Sequence, residues 1–437
     1  MPKCTADQME FGRLGRRRVE ANFEGGTLSS DGGVMLLRQV DRKIGLSAAV
    51  AAALHDSRAP DLIEHTLRDL VAQRLYGLCC GYEDLNDHIA LRNDPLMQTA
   101  VGTGQALGST STLCRMEQGA SRADVVALNR VLVEQFIAAQ ATPPEELVLD
   151  IDASDIRLHG DQERAQFHAY YDHYCYLPLY VFAGKSLLAC VLRNSRIDGA
   201  KHAAALIKLL VTRLRQAWPA LRVIVRADSG FCRQRLIRWC ERNAVGYVIG
   251  LARNARLHRA VEGWERLMQE RHNDSGQKQR LIRQFHYGAD SWDKARRIIT
   301  RLEFGAQGAN PRFIVSNLER PADELYDTLY CQRGEAENRI KEAQLDLFGT
   351  RASGHKFLTN WLRTLLSALA YTLMQRLREL ALKGTELARA TAATIRVRLL
   401  KIGAAVIRNT RRIRVLYASH HPLRQTFLSA ARALAPP

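Results

Sequence analysis

The segment LRVIVRADSGF, residues 221–231, reads as a strand that runs out into a turn at Asp228. Val223, Ile224 and Val225 are β-branched and favour extended chain, whereas Asp, Ser and Gly in succession favour a turn. A helical stretch at 232–243 follows, and GYVIGLA at 246–252 reads as a second strand. Strand, helix, strand makes a parallel unit. Upstream, the prolines of ATPPEE (141–146) stop a helix, and LVLDID begins a strand that ends at Asp152. YCYLPLYVFAG (174–184) and SLLACVLR (186–193) form a hairpin closed through Gly184 and Lys185, and an amphipathic helix over about 199–218 leads back to the Asp228 strand. The result is an α/β fold with a mixed sheet, in which ligands sit at the carboxyl ends of strands. Asp152 and Asp228 both fall there and meet if their strands are neighbours. An Asp after a strand also serves simply as a turn cap, and Asp150, two residues before Asp152, shares its face.

YCQRGEAENRIKE, residues 330–342, supplies a third carboxylate. Tyr330, Arg333, Glu337, Lys341 and Gln344 recur at helical spacing and share one face. Such a face is an ordinary solvated surface when it stands alone. A carboxylate flanked by cations and a phenol also suits a metal and a polyanion. If Asp152, Asp228 and Glu337 converge, their repulsion calls for a hard cation, Mg²⁺ or Mn²⁺. Two such ions promote in-line attack on a phosphodiester.

Lys and Arg number 63 against 45 Asp and Glu in 437 residues, a net charge of +18 that favours nucleic acid as partner. The best apolar run, LLSALAYTLM (365–374), lies between Arg363 and Arg376 and falls short of the roughly 18 residues a membrane span needs. With no signal peptide legible, the expected location is the cytoplasm, at the nucleoid. Nine cysteines without a CxxC pair read as reduced thiols. The chain begins with a basic arm holding Arg13, Arg16, Arg17 and Arg18 and continues as mostly helical sequence to about residue 140. STSTLCRMEQG (109–119) and the helix from Ser121 to about Ala139, with Arg115 and Arg122 near the turn, read either as two bundle helices or as a helix-turn-helix. β-like runs at 280–288, 296–305 and 310–318 suggest a β-rich insertion, where Trp292 is either core or a base-stacking residue. His159, His168 and His173, with Asp161, Glu163 and Asp172, raise a rival reading as a zinc site, though their spacing matches no helical ligand pair. From Arg376 onward, 13 Lys and Arg, including Arg411 and Arg412, face only Glu379 and Glu386.

The segments LDIDAS, HGDQE, YYDHYCYLPLYVF, RADSGF and YCQRGEAENRIKE follow the order found in DDE transposases of bacterial insertion sequences. The chain resembles insertion-sequence family thirteen-eighty, a relative of family four, nearly end to end, including LSSDGGVMLL, GYEDLNDH, STLCRMEQG and SHHPLRQTF. The resemblance implies a ribonuclease-H-like core over 141–383 with its β-rich insertion at about 254–325. A helical DNA-binding region (1–140) precedes it and a basic helical region (384–437) follows. It implies a metal-dependent transposase that binds terminal inverted repeats, cleaves DNA strands and transfers them to target DNA, as a homodimer in the synaptic complex and with two Mg²⁺ or Mn²⁺ ions. A catalytically silent DNA-binding regulator derived from such an enzyme is the alternative. Asp152, Asp228 and Glu337 match the catalytic, metal-binding trio, with Asp152 preferred to Asp150 because Ala153 and Ser154 resemble the family's pattern. Tyr330, Arg333 and Lys341 are the implied phosphate-positioning residues, although the family-four signature lysine falls on Gln344. Arg16, Arg17, Arg18, Arg115, Arg411 and Arg412 are the candidate DNA contacts.

Overall fold

The computed structural model describes residues 8–435 and divides into two compact units. One comprises residues 52–55 and 117–375 and is built on a nine-stranded mixed sheet. Eight strands lie in the order Gln279–Tyr287, Arg296–Gly305, Arg312–Ser316, Gly246–Leu251, Arg222–Ala227, Glu146–Ala153, Leu179–Ala183 and Ser186–Val191, with Gly308–Ala309 beside the second. The strand Arg222–Ala227 is parallel to both of its neighbours, and every other pairing is antiparallel. The parallel unit and the hairpin through Gly184 thus form where the β-branched runs and turn residues place them.

Alternation along the central strands sorts the two faces of the sheet. Leu149, Ile151, Val223, Val225 and Ala227 enter a large core with the helix Ala203–Ala217, while Ile224 and Val248 pack under Leu325 and Leu329 on the other face. The helix Arg122–Ala139 starts at a capping box on Ser121 and buries Val125, Leu128, Leu132 and Phe136. Its Asn129 Oδ1 accepts from the Cys190 amide at 2.8 Å, so this helix covers the sheet's Ser186–Val191 strand rather than standing free as a recognition helix. The three β-like runs after residue 279 hydrogen-bond onto the main sheet and extend it. A long helix, Ala255–Ser275, precedes them. Trp292 packs against the core, edge-on to Tyr287 and under the Arg296 guanidinium.

The other unit comprises residues 1–51, 56–116 and 376–437. Here the basic arm is an exposed antiparallel hairpin, Met9–Leu14 with Arg17–Ala21. The C-terminal segment is helical only in part. Ala404–Arg408 and Ile413–Tyr417 form a hairpin that pairs with Leu28–Ser29, because alternating β-branched residues there outweigh the helical reading. The motif LSSDGG is structural. Asp31 is buried, ion-paired to Lys401 at 2.7 Å and accepting from the Tyr82 hydroxyl at 2.7 Å. The Gly33 amide donates to the Leu400 carbonyl at 3.0 Å, and a Cβ on Gly33 would lie 2.4 Å from Leu400 Cα. Eight cysteines lie among the described residues as thiols outside any disulfide, and no described helix is long and apolar enough to cross a membrane.

Gly33→Ala is therefore expected to lower stability by about 1–3 kcal/mol through overpacking against backbone that has no side-chain freedom to yield. Denaturant unfolding checks this, and an unchanged midpoint would contradict the close approach.

Candidate active site

Asp150 pairs in register with Arg226, and Ile151 with Ala227, so Asp152 and Asp228 emerge side by side from adjacent parallel strands. Asp228 is the N-cap of a short helical turn, its Oδ1 accepting from the Gly230 amide at 2.8 Å. Asp152 Oδ1 accepts from the Ala153 amide at 2.9 Å. Asp150 is placed differently. It is buried, and both of its oxygens are taken by Arg226, Nε at 2.5 Å and Nη2 at 2.8 Å. The remaining Arg226 nitrogen, Nη1, donates to the Leu329 carbonyl at 2.5 Å, which ties the sheet to the segment carrying Tyr330.

That segment is helical throughout but not regular. Glu324–Tyr330 is π-helical, Cys331–Arg333 is a 3₁₀ turn, Gly334–Lys341 is α-helical, and Glu342–Asp346 is π-helical again. Wide turns of this kind re-aim side chains and recur at functional sites. Arg333 reaches Asp152 Oδ2 at 3.3 Å and Glu337 Oε1 at 2.5 Å. The structure therefore gathers Asp152, Asp228, Arg333, Glu337 and Tyr330. Tyr330 leans on Gly250, where a Cβ would stand 2.7 Å from the Tyr330 hydroxyl oxygen and 2.7 Å from the Ser229 amide nitrogen. Only a glycine lets the phenol and the Asp228 turn approach so closely.

Lys341 is solvent-exposed and takes no part in this cluster. Gln344, three residues on, is turned inward by the second π turn and is buried. Its Oε1 accepts from Ser154 Oγ at 3.1 Å and its Nε2 donates to the Asp155 carbonyl at 3.1 Å, clamping the bend just past Asp152. The helical spacing singled out Gln344 but gave it no partner. Arg226 could have been found from alternation, since it lies two residues before Asp228 and so shares its face.

Electrostatics at the cluster are strained. Burial first, then the charge of Asp228, pushes the Asp152 carboxyl up to about 7, against the pull of Arg333. Burial opposes the charge on Arg333, yet Asp152 and Glu337 more than offset it and raise its pKa. Burial likewise raises the Tyr330 phenol, helped by Asp228 and opposed by Arg333. Hard oxygen donors that repel one another suit a divalent cation. In the arrangement present, however, Arg333 bridges two of the carboxylates, and among the described residues no three His, Cys, Asp or Glu side chains are gathered at metal-ligand spacing. His168 and His173 are cross-strand partners, and His173 Nε2 lies 2.8 Å from Asp155 Oδ2.

The sequence pattern of transposase DDE domain group 1 matches residues 11–436. The chain belongs to that transposase family. Among solved structures it is similar to a piggyBac transposase in a synaptic complex with hairpin DNA, determined by cryo-EM. The two share 11% identity over 85% of this chain and 80% of that one, with a TM-score of 0.42. None of the curated proteins matches it.

In this transposase the candidate DNA contacts all lie on the surface of the unit that does not hold the carboxylates. Arg16, Arg17 and Arg18 sit on and beside the N-terminal hairpin, and Arg115 is exposed on the helix Thr110–Gln118. Arg411 and Arg412 form the tip of the C-terminal hairpin, their amides donating to Asn409 Oδ1 at 3.1 and 2.8 Å. Zones of exposed cations are what backbone neutralisation requires.

The raised Asp152 carboxyl has a thermodynamic consequence. Between its ordinary value of 3.8 and about 7 the folded protein retains a proton that the unfolded chain has lost, so stability falls as pH rises through that window. In metal-free protein, Asp152→Asn is expected to gain stability relative to wild type between pH 5 and pH 8. A pH-independent difference in thermal midpoints would show that Asp152 is not strained.

Proposed function

We propose that this transposase acts on its own insertion sequence as a member of family thirteen-eighty in a bacterial host. It binds the terminal inverted repeats, cleaves DNA strands at the element's ends and joins the 3′-ends to target DNA. The observation that carries this reading is the emergence of Asp152 and Asp228 from adjacent parallel strands, with Arg333 tethering Glu337 to Asp152. This placement suits a ribonuclease-H-like core, with Asp152, Asp228 and Glu337 as the catalytic trio. Asp150, fully engaged by Arg226, serves structure instead.

Mg²⁺ or Mn²⁺, as two ions held by Asp152, Asp228 and Glu337, would supply activation of the attacking oxygen and stabilisation of the leaving one. The chain's own groups prepare that site. Arg333 neutralises Asp152 and Glu337 before DNA arrives, and a phosphate oxygen competes for the same guanidinium, which frees the carboxylates. Tyr330, fixed against Gly250, is a hydroxyl donor at the edge of this phosphate position. Gln344 holds the bend after Asp152, the place where the signature lysine was expected, and Lys341 is left to contact DNA from the exposed face. Arg16, Arg17, Arg18, Arg115, Arg411 and Arg412 bind the DNA backbone, and two copies hold two ends together.

The test is cleavage of terminal-repeat DNA in Mn²⁺. Asp152→Asn, Asp228→Asn and Glu337→Gln should each retain DNA binding and lose on the order of a hundredfold or more in cleavage rate, the loss of several kcal/mol of transition-state stabilisation. Binding without cleavage by the wild type would favour the silent regulator, and unimpaired Glu337→Gln would remove Glu337 from the trio. Replacing Arg16, Arg17 and Arg18 together by Ala should weaken binding and flatten the dependence of log affinity on log salt by about 3, which salt titration measures.

A further inference from the structure

The N-terminal hairpin, Met9–Leu14 with Arg17–Ala21, has two unlike faces. Met9 pairs with Ala21 and Leu14 with Arg17, and a bulge between Glu10 and Arg13, where Gly12 stands at φ 82°, joins the two registers. Alternation then puts Met9, Phe11, Leu14 and Val19 on one face, with Arg17 at its tip. Glu10 stands directly opposite Glu20, and Arg13 opposite Arg18, on the other face. The apolar face is left open: Met9 and Val19 are exposed, Phe11 is 67% and Leu14 76% exposed. A lone two-stranded ribbon is marginally stable in water at best, and like charges directly opposite one another weaken this one further. Apolar alternation of this kind marks the face that a sheet buries.

The carboxylate-bearing unit carries an apolar concavity. A groove of about 640 Å³ lies between the helices Arg122–Ala139 and Ala203–Ala217, at the edge strand Ser186–Val191. Leu188, Leu206, Leu210 and Trp361 line it, and Leu209 stands 69% exposed beside them. The edge strand's backbone is already engaged there: the Cys190 amide donates to Asn129 Oδ1 at 2.8 Å, and its carbonyl accepts from Trp361 Nε1 at 3.1 Å. A visitor therefore meets side chains rather than an open ladder, and fits as an apolar face rather than as an added strand. Among the charges at the groove, Arg130, Lys208 and the Glu134–Arg213 pair, half-exposed Glu134 is the one group that suits Arg17, which fixes the direction in which the ribbon lies.

The ribbon's four exposed apolar side chains offer on the order of 400 Å². Docked once, against an equal area of groove, they bury about 800 Å², the size of a weak contact. A two-fold axis repeats the contact and brings the total to about 1,600 Å², the size of a stable complex. A second copy of this chain supplies that repetition, and an unrelated partner does not. We propose that two copies exchange arms, each laying the apolar face of its N-terminal hairpin in the other's groove at Leu209 and Trp361. This rests on the pairing of two copies proposed above and gives that pairing its contact. The opposite face of the ribbon, with Arg13 and Arg18, is left outward for a DNA phosphate.

Sedimentation of the full chain without DNA reads the dimer. Wild type should dimerise, and Phe11→Ser/Leu14→Ser and Leu209→Glu should each raise the dissociation constant about a hundredfold or more, since every change counts twice across the axis. A mixture of the two variants should recover heterodimers, because the intact ribbon of one meets the intact groove of the other, and a merely misfolded variant gives no such rescue. A short bis-maleimide should join Phe11→Cys in one copy to Leu209→Cys in another as a two-chain product, above the level that either gives with wild type. Arm exchange is overturned by a monomeric wild type, by variants that dimerise as wild type does, by a mixture that stays monomeric, or by cross-links confined to one chain. Phe11→Cys joining to itself would set ribbon against ribbon and overturn it too. Loss of DNA binding by Phe11→Ser/Leu14→Ser with dimerisation intact would assign the apolar face to DNA, with the same result. Wild type that exchanges arms but never cuts terminal-repeat DNA would defeat the proposed cleavage and leave the exchange standing. Cutting by a wild type that forms no such cross-linked product would do the reverse.

Discussion

The Arg226 guanidinium is the fixed point of the candidate site. Its fork closes on both oxygens of Asp150 across the parallel strand pair, and its remaining nitrogen reaches the Leu329 carbonyl. Removing one member of such a buried pair leaves the other charge uncompensated, at a cost of about 3–5 kcal/mol. Three segments distant in sequence are thereby held in one register: the strand ending at Asp152, the strand ending at Asp228, and the helical segment that brings Tyr330, Arg333 and Glu337 over them. Asp150 and Arg226 are spent on each other inside the sheet, so that the half-buried residues two positions on, Asp152 and Asp228, are left at the strand ends.

A second cation performs the complementary task. Arg333 lies between Asp152 and Glu337 and shields a cluster whose burial and mutual repulsion otherwise disfavour ionisation. A guanidinium is well suited here, because it is always charged, is planar, and exchanges carboxylate for phosphate partners without a change of protonation. The site is thus folded in a form that does not depend on convergence of bare carboxylates.

Much of this was legible. The runs around Asp152 and Asp228 announced strands through β-branched residues and stopping turns, and their end positions marked the ligand side of a mixed sheet. The helix starting at Ser121 and the hairpin through Gly184 follow from capping and turn chemistry that act over a few residues. The Asp150 ambiguity was not legible, because two alternate carboxylates on one strand differ only in what stands opposite them. Nor was the inward turn of Gln344, which depends on a π-helical turn that a regular 3.6-residue period does not contain. The C-terminal hairpin escaped for a similar reason: its strands pair with Leu28–Ser29, hundreds of residues away.

The sequence by itself determined the local elements, the excess of positive charge and the family to which the chain belongs, since these rest on short-range propensity, counting and motif order. Tertiary structure alone decided which carboxylate is locked inside by Arg226 and which ones meet Arg333, and that Gln344 clamps the Asp152 bend while Lys341 faces solvent. Those outcomes depend on what lies across a strand or on the far side of a turn. Pairing and burial there bring together residues whose separation along the chain carries no trace of their contact.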